Sequence, residues 1–224
     1  MSRSNNDELV NPASKFFEWS GAMGSVTYYD KDTGKNIEVP QPFRFLVLDR
    51  VAQVTGGIDT ASGYLGYWSN AVKNISIQPL CVKSKQGTVI EGLYKDIKAH
   101  AGIKFMTGLY IAYKDESGLK IGYLKIKGSS LSAWIEATKN KNIFKGAFSI
   151  IDKVEELIRA LRKHITVFSW SEEVSEQTDS EAIELDKQLQ VYMTNYFGKS
   201  APVAHEAVDQ DDYFPEDFDE KIPF

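Results

Sequence analysis

Short segments in which apolar and polar residues alternate dominate the first half of the chain. Residues 25–39 contain two β-rich runs on either side of the turn signal DKDTG, which predicts a hairpin. Residues 43–48, FRFLVL, place Phe43, Phe45 and Val47 on one side of an extended strand, because successive side chains of a strand point to opposite faces. A two-residue period does not suit a helix, so the pattern predicts a mainly β fold.

The chain is long enough to enclose one sizeable core. It has 224 residues, of which 42% are hydrophobic, and this predicts one main domain with tails. The single cysteine, Cys81, excludes an internal disulfide, and we expect it to be a buried thiol. The N-terminus lacks a targeting pattern, and no apolar run approaches the ~20 residues that cross a bilayer. We therefore expect a soluble cytoplasmic protein without a membrane partner.

Lysines recur on two consecutive strand-like segments, residues 97–114 and 119–127. In the first segment the odd positions from Ile97 to Phe105 are apolar, and the even positions are mostly basic or polar. A shift of one residue would exchange the two faces, so the pattern defines the register. The turn signal DESG at residues 115–118 joins the two segments. We predict a basic face whose anion contacts are Lys98, Lys104, Lys125 and Lys127.

Glycines and aromatic residues are concentrated in residues 55–72, TGGIDTASGYLGYWSNAV. A glycine-rich loop can present flat rings to unstacked bases while nearby lysines hold the phosphates. The alternative is a bend whose rings fold back onto the core, and we favour exposure for Tyr67 or Trp68. Residues 15–19, KFFEW, leave the same choice open for Trp19, where a core position is favoured. The stacking candidates are Trp68, Tyr67, Phe43 and Tyr110.

Two segments predict helices, and a third segment is ambiguous. Residues 133–137 follow a serine-rich start and predict a short helix. Thr178 and Glu181 fit a capping box, and apolar residues at helical spacing continue towards Gly198. We expect this second helix to pack on the sheet rather than on a second subunit. Residues 154–163 have a helix-forming composition but lie between two β-rich runs, so they form either a helix or part of a long hairpin.

The C-terminal residues 209–224, DQDDYFPEDFDEKIPF, hold seven acids and one lysine. This charge density predicts a disordered segment. Aromatic residues recur among the acids, and Pro223 restricts the backbone before Phe224, which favours a peptide that a protein binds over a plain solubility tail. Residues 206–224 carry a net charge of −7 and the whole chain −5, so the remainder carries +2. We expect such a tail to compete with polyanions for a basic groove.

Residue patterns for catalysis are missing from the sequence. The three histidines, His100, His164 and His205, lie in unrelated contexts, and neither GxxxxGK[ST] nor GxGxxG occurs. The acids outside the tail are dispersed and lack the pairing of a nuclease metal site. We expect a protein without enzymatic activity, cofactor or metal.

Two parts of the chain resemble one class of proteins. The ending DFDEKIPF, residues 217–224, is similar to the acidic, Pro-Phe-terminated tip of bacterial and phage single-stranded-DNA-binding proteins. Residues 15–19, 43–49 and 66–72, which read KFFEW, FRFLVLD and GYWSNAV, resemble the OB-fold members of that class in tailed bacteriophages. This second resemblance extends over roughly residues 11–197 and has less specific motifs.

The resemblance implies an OB-fold-like five-stranded barrel with added hairpins and one or two helices. The polar composition of residues 1–14 predicts a flexible N-terminal arm, the charge of the C-terminus predicts a disordered acidic tail (199–224), and the resemblance implies a nucleic-acid-binding domain between them (15–198). The resemblance also implies a protein that coats single-stranded DNA in phage replication, recombination or repair, in the host cytoplasm. The sequence leaves the oligomeric state open, and a homo-oligomer is compatible with it. The tail would recruit replication or repair proteins through Asp217, Phe218, Asp219, Glu220, Ile222, Pro223 and Phe224.

Two features depart from this class. Lys221 stands where an acid is usual, which predicts weaker docking of the tail, and residues 154–163 are more helical in composition than a barrel hairpin should be. A different function also fits the sequence. It is that of an adaptor whose body binds a protein instead of DNA and whose tail recruits a second protein.

Overall fold

A computed structural model describes residues 10–158 and 161–198, and it describes the side chains of these residues outside 151–163. The predicted tail, including all seven partner-binding candidates, lies outside the described residues. The strands are β1 (Lys15–Ser20), β2 (Ser25–Asp30), β3 (Lys35–Glu38), β4 (Phe43–Thr60), β5 (Gly63–Ser69), β6 (Leu80–Ser84), β7 (Gly87–Gly92), β8 (Ile103–Asp115), β9 (Gly118–Lys127), β10 (Ala147–Ile158) and β11 (Leu161–Ser171). The helices are α1 (Tyr94–Ile97), α2 (Ser129–Thr138) and α3 (Glu176–Gly198). The predicted mainly β fold is confirmed.

The strands join in one mixed sheet. Its order is β3-β2-β1-β9-β8-β4-β5-β6-β7, and the β10–β11 hairpin branches from β4. The pair of β1 with β9 is parallel, and the other strand pairs of the described chain are antiparallel. The described pairings leave β3 and β7 as open edges, so they do not close the five-stranded barrel that the resemblance implied. The 18-residue strand β4 pairs with β8, β10 and β5, so the sheet widens by branching.

One face of the sheet, here called the inner face, surrounds the main core. Phe17 of β1 and Leu109 of β8 belong to a buried cluster that also takes side chains from β2, β4, β6, β9 and β10. Helix α2 adds Trp134, whose ring centroid lies 4.7 Å from that of Phe148. Loss of such a buried ring costs about 3–5 kcal/mol. The sheet therefore curves around one core, and its functional surface must lie on its other side or at its edges.

Helix α3 packs on the opposite face of the sheet, here called the outer face. Leu189 and Met193 are buried in a second cluster with Val51 of β4 and Ile121 of β9. The predicted packing of this helix on the sheet is confirmed. No helix among residues 10–158 and 161–198 is long and apolar enough to span a membrane.

The start of α3 differs from the predicted capping box. The helix begins at Glu176, and the backbone N–H of Thr178 donates to the Ser175 hydroxyl at 3.2 Å. Ser175 therefore satisfies an amide that has no partner within the first turn. Thr178 lies inside the helix, so its role as the capping residue was predicted wrongly.

The glycine-rich residues 55–72 mostly form the end of β4 and the strand β5, which corrects the prediction of a loop. The backbone N–H of Gly57 donates to the Gly102 carbonyl at 2.9 Å. A Cβ atom on Gly56, whose φ is +132°, would overlap that same carbonyl. Glycine is therefore required for the close approach of two backbone segments rather than for loop flexibility.

The predicted lysine-rich strand 97–114 is shorter than expected. Ile97 ends α1, and Gly102 has a φ of +82°, so the strand β8 begins at Ile103. From there the predicted faces are correct, since Phe105 is in the inner core and Lys104 is exposed. The residues before β8 form a turn, and Gly102 at its end contacts the Gly56–Gly57 backbone.

The described part of the ambiguous segment, residues 154–158 and 161–163, belongs to a hairpin. Strands β10 and β11 pair from Ala147 opposite Ser171 to Ile158 opposite Leu161. The helical alternative is therefore wrong, because a ladder of cross-strand pairs satisfies this backbone instead of local helical bonds.

Candidate nucleic-acid interface

A cleft of about 370 Å³ lies on the outer face, between the sheet and the C-terminal end of α3. We call it the outer cleft. Its sheet side is formed by β1, β4, β5, β8 and β9, with the side chains of Phe16, Gln53, Trp68, Tyr110, Tyr123, Lys125 and Lys127. Its helix side carries Tyr192, Tyr196 and Phe197. The cleft thus combines rings and lysines on one concave surface.

Four of the eight residues that the sequence predicted for nucleic-acid binding line this cleft. They are Trp68, Tyr110, Lys125 and Lys127. The Trp68 side chain is the most accessible of the predicted rings, with 47% of its surface exposed. The separate predictions for the aromatic segment and the lysine strands therefore converge on one surface.

The strand register places two further lysines beside Trp68. Thr55 of β4 lies opposite both Lys104 of β8 and Trp68 of β5, and Trp68 lies opposite Lys83 of β6. Residues that face each other across a ladder project from the same side of the sheet. Lys104, Thr55, Trp68 and Lys83 therefore form one row, about 14 Å wide, on the outer face. We call it the Trp68 row, and both of its lysines are exposed.

Phe16 provides a second accessible ring at the other end of the cleft. It is 46% exposed, and its ring centroid lies 5.9 Å from that of Tyr123. Phe16 was not among the residues predicted from the sequence. The signal was available in the KFFEW segment, because a strand that buries Phe17 must turn Phe16 to the opposite face.

The aromatic side chains of α3 that line the cleft were also not predicted from the sequence as part of the site. The ring centroids of Tyr192 and Tyr196 are 5.9 Å apart, and those of Tyr196 and Phe197 are 5.0 Å apart. The backbone N–H of Ala71 donates to the Tyr196 hydroxyl at 3.1 Å, which ties the end of the helix to the sheet. The four-residue spacing of the two tyrosines was the available signal.

Phe43 and Tyr67 lie in the inner core, which contradicts the exposed position that stacking requires. Phe43 is 5% exposed and packs against Phe17 at a centroid distance of 4.9 Å. Tyr67 is 6% exposed and lies 6.1 Å from the His100 ring. Strand alternation turns both rings inward, and in β5 the same alternation turns Trp68 outward.

Tyr110 forms part of the cleft floor and is almost fully covered. Its ring lies between those of Tyr123 and Tyr192, at centroid distances of 4.9 and 6.2 Å. The Asn11 side-chain amide donates to its hydroxyl at 3.3 Å. Burial, and secondarily the neighbouring Tyr192, raise the pKa of Tyr110 above that of a free tyrosine. Its ring is not an open face for a base, so its predicted stacking role is also contradicted.

Lys98 is not among the residues that line the outer cleft. It follows α1, whose Ile97 packs into the inner core. The sequence placed it on the same strand face as Lys104, but the strand does not extend that far. Its prediction as a contact on that face is therefore wrong.

Residues 11–14, which the predicted domain division assigned to the flexible arm, contact the sheet beside the cleft. The backbone N–H of Ser14 donates to the Ile121 carbonyl at 2.8 Å. Ala13 is buried in the cluster beneath α3, and Asn11 lines the cleft. The ordered domain therefore extends further towards the N-terminus than Lys15.

Two ion pairs flank the outer cleft in different environments. Lys73 pairs with Asp49, whose second carboxylate oxygen accepts a bond of 3.2 Å from the Gln190 amide of α3. Lys127 pairs with Glu18 at 3.1 Å, with more than 40% of each side chain exposed. The first pair links the helix to the sheet, and the second stands at the open border of the cleft.

Within the described ranges, no group of three or more His, Cys, Asp and Glu side chains is arranged to hold a metal ion. No protein-family model, curated protein or solved structure matches the chain.

Proposed function

We propose that the protein binds single-stranded DNA with little sequence preference, as a non-catalytic protein of phage DNA replication, recombination or repair. The observation that carries the proposal is the Trp68 row, in which an exposed ring lies between Lys83 and Lys104 on an open sheet face. Stacking on an aromatic ring accepts every base, and flanking lysines attract the phosphates of any sequence. This pairing of chemistries is typical of sequence-tolerant single-strand binding.

A path for the strand runs diagonally across the outer face. Phe16 and Trp68 lie four strand spacings apart in the sheet order. Along β8, the row of paired residues that contains Phe16 and the row that contains Trp68 are six residues apart. These steps correspond to a diagonal of about 28 Å. Lys125 and Lys127 lie between the two rings on the cleft surface. The path suits a few nucleotides, at the lower end of the ~4–16 that one OB fold covers.

The OB-fold relationship and the role of the tail are parts of this proposal. A sheet whose inner face surrounds one core supports the first, since OB folds bind single strands on a curved β surface. The acidic composition of residues 206–224 supports the second, because such a segment would be repelled from DNA and available to a basic partner protein. On this proposal the protein acts in the cytoplasm of the host cell.

The test is a titration of the full chain with fluorescein-labelled oligo-dT at low salt, followed by fluorescence anisotropy. We expect binding that weakens steeply with salt and a clear preference for single over double strands. Trp68→Ala should reduce affinity by roughly tenfold, because stacking of one base is worth about 1–3 kcal/mol. Phe144→Ala removes an exposed ring outside the cleft and is the matched control.

Two results would overturn the proposal. The first is the absence of oligo-dT binding at low salt, which would favour the adaptor function instead. The second is equal affinity of Trp68→Ala and Phe144→Ala, which would remove the outer cleft from the binding surface. A chain that ends before Glu206 tests the tail separately, since it should keep or increase DNA affinity and lose capture of replication proteins.

A further inference from the structure

Glu18 is an acidic residue at the border of a cleft that is otherwise basic and aromatic. Its carboxylate lies 3.1 Å from the Lys127 ammonium group, and the parallel pairing of β1 and β9 places it opposite Lys125. Both lysines line the outer cleft. Among the described residues that line the cleft, none is acidic. One carboxylate thus stands beside both lysines at the border of the path proposed for DNA.

A phosphate that approaches Lys127 meets the Glu18 carboxylate at the same place. If the phosphate replaces Glu18, an existing ion pair is lost; if the ammonium group keeps both partners, two negative charges are held close together. Both arrangements lower the affinity for a polyanion. The opposite effect, in which Glu18 orients Lys127 for DNA, is small because an exposed pair holds a long side chain only weakly.

We propose that Glu18 is a built-in limit on the affinity of the outer cleft for phosphate backbones. This inference rests on the proposed function and adds a residue that keeps binding reversible. The pair with Lys127 neutralises part of the basic surface in the free protein. The affinity for DNA is therefore lower than the number of lysines alone would predict. The aromatic contacts of Phe16 and Trp68 are unaffected, which shifts the balance of binding from charge towards stacking.

The experiment compares Glu18→Gln with Glu116→Gln in oligo-dT titrations over a range of salt concentrations. Glu116 is exposed in the turn between β8 and β9, so its variant makes the same change in net charge away from the cleft. We expect Glu18→Gln to bind about two- to fivefold more tightly at low salt, given the usual size of an exposed pair. The salt slope should steepen by up to about 0.7, the value for one phosphate of a single strand.

A second pair of variants tests whether the effect passes through Lys127. Glu18→Gln is combined with Lys127→Gln, and the gain in affinity should shrink in that background because the two residues are coupled. Unfolding midpoints of all variants separate changes in binding from changes in folding. Equal affinity of Glu18→Gln and Glu116→Gln, or weaker binding of Glu18→Gln, would overturn this role while wild-type binding of oligo-dT still supports the proposed function. A wild-type chain that binds no oligo-dT would overturn both.

Discussion

The outer face of the sheet has two halves that are built from the same strands and differ in almost every physical property. Under α3, the side chains of Tyr110, Ile121 and Val51 are buried in a cluster with Leu189. Beyond the end of the helix, β8 and β9 present Lys104, Lys125 and Lys127, and the neighbouring β5 presents Trp68. We call these the covered half and the open half.

The ion pairs of the two halves show the same contrast. Asp49 in the covered half is nearly buried and is held by Lys73, Gln190 and its own chain, because a buried carboxylate needs several partners. Glu18 in the open half has one ionic partner within 4 Å among the described residues and remains exposed. Strand alternation therefore determines which residues lie on the outer face, whereas the position of α3 determines which of these residues are buried.

The strongest test of the comparison is Leu189→Ala. Leu189 is completely buried between α3 and the sheet, so its truncation should lower the free energy of unfolding by about 2–5 kcal/mol. Val191→Ala is the control, since Val191 is exposed on the same helix and should change stability by under about 0.5 kcal/mol. Urea denaturation measures both values. Similar losses for the two variants would mean that α3 does not cover the sheet as described.

A smaller effect is expected at the border between the halves, for Gly108→Ala. The Tyr123 hydroxyl lies over Gly108 and donates to the Gln53 side-chain oxygen, so an added Cβ would displace the ring. Overpacking of this kind costs about 1–3 kcal/mol. Gly21→Ala, whose Cβ would make only an ordinary contact, is the control. Equal unfolding midpoints for the two variants would contradict the placement of Tyr123.

The covered half should also respond to alkaline pH. Burial raises the pKa of Tyr110 in the folded state, whereas the unfolded chain titrates near 10. Above about pH 10 the unfolded state releases a proton that the folded state retains, so stability should fall with rising pH by at most about 1.4 kcal/mol per pH unit. Tyr110→Phe should reduce this loss, and Tyr64→Phe, which removes the hydroxyl of an exposed tyrosine, is the control. Urea denaturation from pH 8 to 11 would show the difference, and identical pH profiles would remove Tyr110 from the buried cluster.

The smallest effect concerns the edge of the open half. Lys83→Ala should reduce the salt slope of oligo-dT binding by about 0.7, as expected for one lost phosphate contact. Lys98→Ala should leave the slope unchanged, because Lys98 follows α1 and belongs neither to the paired residues of the Trp68 row nor to the lining of the outer cleft. Anisotropy titrations at several salt concentrations measure both slopes. A larger change for Lys98 than for Lys83 would move the basic path to another part of the protein.

Much of the fold was predictable because local patterns specify local structure. The hairpin of β2 and β3 and the amphipathic α3 followed from turn residues and apolar periods. Exposure was predicted for Tyr67 or Trp68, and Trp68 is exposed, whereas Tyr67, which was also named as a stacking candidate, is buried. The error arose because a glycine-rich segment was interpreted as a loop, in which neighbouring side chains need not alternate.

The candidate site was predictable only in part, because its two walls come from distant segments of the chain. Lys125 and Lys127 were identified from their strand, but Lys83 and Phe16 gain their significance from partners across the sheet. No local pattern reports which strands become neighbours. The crossing of Gly56 with Gly102 is of the same kind, since it depends on a backbone contact between remote residues.

By itself, the sequence determined that this chain forms strands with one apolar and one lysine-bearing face. It also determined that an amphipathic helix follows these strands and that the C-terminal segment is acidic. These properties follow from side-chain periodicity and charge, which act over a few residues. Only the tertiary structure decided that α3 covers half of the outer face and leaves Trp68 and its lysines open. The position of α3 depends on which distant elements can bury apolar surface against each other, and no single segment of the sequence contains that information.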